Sequence, residues 1–177
     1  MTLTALLPTV RASIPDPFDP GVWPAHTAVG VDDVFVAGVS MVRLAAVAET
    51  PCVHSAEQAP PRWRPRTWVP ADVSVVVTTV VSVRRPRPGV VLLGVDAVLP
   101  TGAVLEEARL VGRVSTAPSA PVHLLPAAGA TGASVRSANE PFRRFPAPLP
   151  SDVREGDLLC VPCPVVVRHR DLVHSDS

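Results

Sequence analysis

Valine sets the pattern of this chain. The stretch "VSVVVTTVVSV" (73–83) is the longest apolar run. It is valine-rich and short of the ~20 residues needed to cross a bilayer, so it predicts a buried strand, placed at 73–84. Further strands are predicted over 90–98, 103–113, 120–125 and 157–168, from β-branched residues bounded by proline, glycine or small polar residues. Upstream, "DDVFVAGVS" (32–40) reads as a strand and turn or hairpin edge. "MVRLAAVAE" (41–49) carries apolar residues at helical spacing, and "TPCVHS" (50–55) reads as a short strand. The expectation is a mainly β protein, one barrel or sandwich domain with a single short N-terminal helix.

Proline divides the chain. Its 22 prolines exclude an ordinary helical domain, because proline removes a backbone donor and costs ~3 kcal/mol inside a helix. Residues 1–24 form a proline-rich arm, with Phe18 and Trp23 as the side chains able to anchor it. Residues 25–55 are a strand-helix-strand segment, 56–70 a proline/arginine linker, 71–173 a β-domain, and 174–177 a tail. "PAAGATGASVRSANEP" (126–141) is small and polar, the composition of a loop or an active-site turn.

The formal charge is zero, with 16 basic and 16 acidic residues, and gives no global attraction to nucleic acid or to an anionic membrane. All 16 basic residues are arginine. Without lysine there is no lysine Schiff base, P-loop lysine or lysine general base. "MTLTALLPTVRASIPDP" has no basic n-region and no long apolar core, and three cysteines without a signal peptide do not form a disulfide framework, so the expected location is cytoplasmic. Arg62, Arg64 and Arg66, interleaved with Trp63 and Trp68, and the group Arg84, Arg85 and Arg87 read either as a basic patch for an anion or as a solvated linker and hairpin. His26, His54, His123 and Ser137 lie in no catalytic spacing.

Possible metal ligands crowd together only in "GDLLCVPCPVVVRHRDLVH" (156–174), through Cys160, Cys163, His169 and His174. A zinc site needs four convergent ligands and a tight turn at the C-x-x-C pair. The surrounding sequence is strand-like, and positions three apart in an extended strand face opposite sides. A redox pair needs its first cysteine at a helix N-terminus, which Pro164 and three valines do not provide. The remaining reading is small apolar residues in a buried strand.

Three stretches, in order, resemble the pyridoxal-phosphate-dependent decarboxylases of fold type III, of the diaminopimelate decarboxylase kind. They are "DPGVWPAHTAVGVDDVFVAGVSMVRLAAVAETPCVHS" (19–55), "VVVTTVVSVRRPRPGVVLLGVDAVLP" (75–100) and "LPSDVREGDLLCVP" (149–162). The resemblance implies the C-terminal β-domain of the alanine racemase/diaminopimelate decarboxylase type plus the N-terminal segment. A linker stands where the family has its α/β barrel with the cofactor lysine. At the family's "C-[ED]-S-x-D" motif this chain has Val135, Arg136, Ser137 and Asn139, and at its "GAY" motif Val165, Val166 and Val167. The resemblance therefore implies a non-catalytic remnant without pyridoxal phosphate. Such a protein would form a homodimer or dock on a full-length decarboxylase-like partner, with no nucleic acid or membrane involved. A small-molecule binder reusing the β-domain cavity and a zinc-stabilised module are the alternatives.

Overall fold

A computed structural model of the chain describes residues 14–61, 63, 65–126 and 146–173. Its longest element is β5 (Asp72–Arg87), which organises the others. Along one edge β5 pairs first with β4 (Cys52–Glu57) and then, past Thr79, with β6 (Val90–Val95). Along its other edge lies β10 (Leu158–Cys163), whose far side carries β7 (Arg109–Val111). From β6 the sheet continues through the parallel strand β8 (Ser119–Pro126) to β9 (Ala147–Pro150). The end strands β7 and β9 approach within 8 Å between Cα atoms without pairing. The result is a nearly closed, barrel-like sheet.

Its interior holds Val80, Leu93, Val95, Val122, Leu149, Leu159 and Val161, contributed by alternate positions of five strands. The opposite face of β4, β5 and β10 is also covered. Over it pack a small sheet of β1 (Thr27–Val29), β2 (Val34–Val36) and β3 (Val39–Ser40), and the helix α1 (Met41–Ala48). Met41 and Ala45, four apart and so on one helical face, are buried there with Val34, Val36 and Trp23. Trp23 is fully buried and Phe18 packs against the same cluster, so the arm is anchored at the two aromatic residues expected. Valine at consecutive positions 75, 76 and 77 thus serves two cores, and every residue from Val73 to Thr78 is buried.

Several elements differ from expectation. Residues 103–113 are not one strand: a 3-10 turn (Leu105–Glu107) precedes β7. Leu105 and Ala108, three apart, both reach the interior, which the 3-10 repeat allows and a strand does not. Strand β10 ends at Cys163, before Pro164. A second helix, α2 (His169–Leu172), follows, closed by a box in which the Arg168 N–H donates to Asp171 Oδ2 (3.0 Å). Residues 56–57 belong to β4, so the proline/arginine segment is the connection between two adjacent antiparallel strands. No helix among the described residues is long and apolar enough to cross a membrane.

At the point where β4 and β6 meet along β5, one carboxylate ties the sheet together. Asp96 Oδ1 accepts from Thr78 Oγ1 (2.5 Å) and the Thr79 N–H (2.9 Å), and Oδ2 accepts from Thr50 Oγ1 (2.6 Å). Thr79 Oγ1 completes the chain at 2.6 Å from Thr50 Oγ1, and the Asp96 N–H donates to the Thr79 carbonyl (3.1 Å). Removing the carboxylate strands the fully buried Thr78 hydroxyl and a backbone donor. Asp96→Ala is therefore expected to lower stability by about 3 kcal/mol, measured by urea unfolding. A loss below about 1 kcal/mol would show the knot to be dispensable.

Candidate functional site

The barrel stays open along the seam between β7 and β9, and the reason lies in β9. The Ser151 N–H donates to the Pro118 carbonyl (2.9 Å), which fixes the parity: Leu149 turns its backbone groups toward β8, and Pro148 and Pro150 turn theirs outward. Proline has no N–H, so this edge cannot donate to β7. A cleft of about 320 Å³ lies at the seam, walled by Leu110 and Leu149, by the arm residues Ile14 and Pro17, and by Val29 and Asp33 of the β1–β2 hairpin. Its size is at the lower end for small-molecule sites.

Four charged groups of the cleft, Asp33, Glu107, Arg109 and Arg113, are fastened to the scaffold, while Glu106 is exposed. Glu107 Oε2 accepts from Trp23 Nε1 (3.1 Å) and Arg109 Nη2 (3.2 Å). Arg109 also donates to the carbonyls of Asp16 (3.2 Å) and Pro17, strapping the arm across the cleft. Its Nε is buried without a partner among the described residues. Arg113 grips the Asp157 carboxylate with two bonds, Nε to Oδ1 (2.8 Å) and Nη2 to Oδ2 (2.7 Å), and reaches Asp152 Oδ2 at 3.2 Å. The hydrogen bond to Asp157 raises the Arg113 pKa above its usual value, against the opposing effect of burial. At the hairpin wall, Asp33 Oδ2 accepts from the Ser40 hydroxyl (2.5 Å) and Oδ1 from the N–H groups of Val34 and Val42, while Ser40 caps α1 by accepting from the Arg43 N–H. The cleft combines apolar walls with fixed charges, an arrangement suited to binding.

The residues singled out in the sequence are dispersed. Cys160 lies in the outer cluster with Cys52, Val75 and Val77, whereas Cys163 lies on the other face with Val76 and Leu172. His169 opens α2 and is exposed. Val167 is buried and its N–H donates to Ser74 Oγ (2.9 Å), while Val165 and Val166 are exposed. His174, Val135, Arg136, Ser137 and Asn139 lie outside the described residues. Among the described residues no three His, Cys, Asp or Glu side chains form a group able to hold a metal. Burial raises the thiol pKa of Cys52, with Asp96 adding to it, and raises that of Cys160, with Asp33 and Cys52 adding to it. Burial alone pushes the Cys163 thiol up to about 12. Glu107, Arg109, Arg113 and Asp157 carry no signal along the chain, since side chains separated by 84 residues (Trp23–Glu107) or 44 (Arg113–Asp157) leave no spacing motif.

No protein-family model and no curated protein matches the chain.

Two outcomes test this description. The three free cysteines are all buried, so a neutral thiol reagent at pH 8 is expected to label none in the native protein and all after unfolding. Rapid native labelling of Cys160 or Cys163 would contradict it. The second concerns acid. Burial opposes the Asp152 charge, but hydrogen bonds from Ser115 and Arg113 outweigh it and hold the carboxyl below its usual 3.8. A lowered carboxyl stabilises the fold above its unfolded pKa and loses that contribution as pH falls through the folded value. The stability gap between wild type and Asp152→Asn is therefore expected at pH 6 and to close below pH 3.8.

Proposed function

We propose that the chain is a non-catalytic β-domain protein, a structural or regulatory partner that self-associates or docks on a full-length decarboxylase-like protein. The observation that carries this reading is the apolar surface directly after β10, where Val165 is 47 % and Val166 56 % exposed. The resemblance described above assigns these positions to a motif that in the family binds cofactor across a subunit interface. Valine supplies no hydrogen bond to a phosphate and no nucleophile there, and its exposure suits burial against another protein. The engagement of Asp33, Asp96, Glu107 and Asp157 in fold-holding contacts supports the same reading.

The cleft at the β7–β9 seam favours a second reading, a small-molecule binder that works without a Schiff base. Incubation with pyridoxal phosphate followed by desalting is expected to leave no absorbance in the pyridoxal band, because the chain has no lysine to form the imine.

Sedimentation velocity separates the docking reading from its alternatives. The full chain is expected to form a dimer, or a complex with an added diaminopimelate decarboxylase, and Val165→Asp with Val166→Asp is expected to weaken that assembly at least about tenfold. Both positions are exposed, so the variant is expected to keep its fold. A monomer at all concentrations that also ignores the added enzyme would overturn the docking reading.

A further inference from the structure

Beyond the barrel, β5 continues as an arginine-rich tip in which every residue from Arg84 to Gly89 is exposed. Residues three apart in a regular strand face opposite sides, which would split Arg84 from Arg87. The pairing shows otherwise: Arg84 lies opposite Leu92 and Arg87 opposite Val90, so β5 takes three steps where β6 takes two. This bulge returns both arginines to one face, the same face as Val90 and Leu92. That face points outward, because Val91 and Leu93 fill the interior. Two strand steps place the guanidinium-bearing positions about 7 Å apart.

The third arginine acts differently. Arg85 Nη2 donates to the carbonyl of Ser151 (3.3 Å) and reaches that of Val153 (3.5 Å), bracing the tip against the turn after β9. The side chains of Arg84 and Arg87 make no ion pair or hydrogen bond with any described residue. Pro86 sits in the bulge and Pro88 in the turn, which Gly89 closes at φ 77°. Both prolines lack the N–H needed to recruit another strand, so the tip offers side-chain charge.

The geometry points to this bulged tip as a two-arginine clamp for an acidic protein segment, one presenting carboxylates at alternate positions of an extended chain. Such carboxylates also repeat at about 7 Å, and each guanidinium accepts one in a forked pair. Arginine suits this better than lysine because its fork is planar and fixed. A protein partner is favoured over nucleic acid: the net charge is zero, and no described aromatic side chain lies on the tip for base stacking. The inference deepens the docking reading by giving the partner's chemistry, at a surface separate from Val165 and Val166.

Titration of the full chain, followed by backbone amide shifts, tests it with three probes. These are the capped peptide Thr-Glu-Thr-Glu-Thr, its glutamine counterpart Thr-Gln-Thr-Gln-Thr, and a short oligothymidylate. The glutamate peptide is expected to shift the amides of Arg84 to Leu92, to bind about tenfold tighter than the glutamine peptide, and to weaken as salt is raised. Arg84→Ser with Arg87→Ser is expected to lower its affinity about tenfold, while Arg43→Ser on α1 leaves it unchanged. Equal binding of the two peptides, no binding of either, or preference for oligothymidylate would overturn the proposal. A chain that stays monomeric and ignores the added enzyme yet binds the glutamate peptide at this tip would overturn Val165–Val166 docking and leave the clamp standing.

Discussion

The fold depends on how one carboxylate manages a shared strand edge. Strand β5 is too long for a single partner, and β4 and β6 divide its edge at Thr79. Where one ladder stops and another starts, backbone donors and buried hydroxyls need acceptors other than the next strand. Asp96 supplies them, holding the end of β6, the start of β4 and the middle of β5 at one point. The neighbouring step is equally committed on the opposite edge, where Val80 exchanges bonds with Asp157 and Gly156 (both 2.8 Å). Both halves of the barrel therefore meet at Thr78–Val80.

From that junction the rest of the molecule follows by parity. One face of β5 feeds the barrel interior, and the other is covered by the N-terminal sheet, α1 and Trp23. The seam at β7–β9 stays open because β9 turns two prolines outward, and the N-terminal arm, strapped by Arg109, lies across it. Charge is spent on position: Arg113 holds the turn before β10, and Asp33 holds the start of α1. Among the described residues the three thiols are buried, Asp33, Asp96, Glu107 and Asp157 are held in hydrogen bonds, and Arg84, Arg87, Val165 and Val166 stay exposed at the surface.

Much of the β architecture was legible in the sequence, because hydrophobic periodicity reports burial directly. The helix expected at 41–49, the valine-rich strand at 73–84 and the strand expected from 157 correspond to α1, β5 and β10, and the opposed orientation of Cys160 and Cys163 follows from strand spacing. Strand β9 was hidden because two prolines within four residues argue against a strand, and only the register reveals that both sit where no donor is needed. Helix α2 was hidden because a single four-residue turn carries no periodicity. The Asp96 knot, the Trp23–Glu107–Arg109 link and the Arg113–Asp157 pair join residues far apart in sequence, which a pattern along the chain does not encode. The bulge that aligns Arg84 with Arg87 is a property of pairing and was equally out of reach.

Native-state hydrogen exchange resolved to single amides tests whether the Thr78–Val80 and Asp96 junction holds the two halves of the sheet as one unit. The amides of Thr79, Val80 and Asp96 are expected to be among the slowest to exchange. Amides of β4, β6 and β10 next to the junction are expected to open only with them, at the free energy of global unfolding. Fast exchange at Thr79 and Asp96, with β6–β8 and β4–β5–β10 opening at separate free energies, would contradict it.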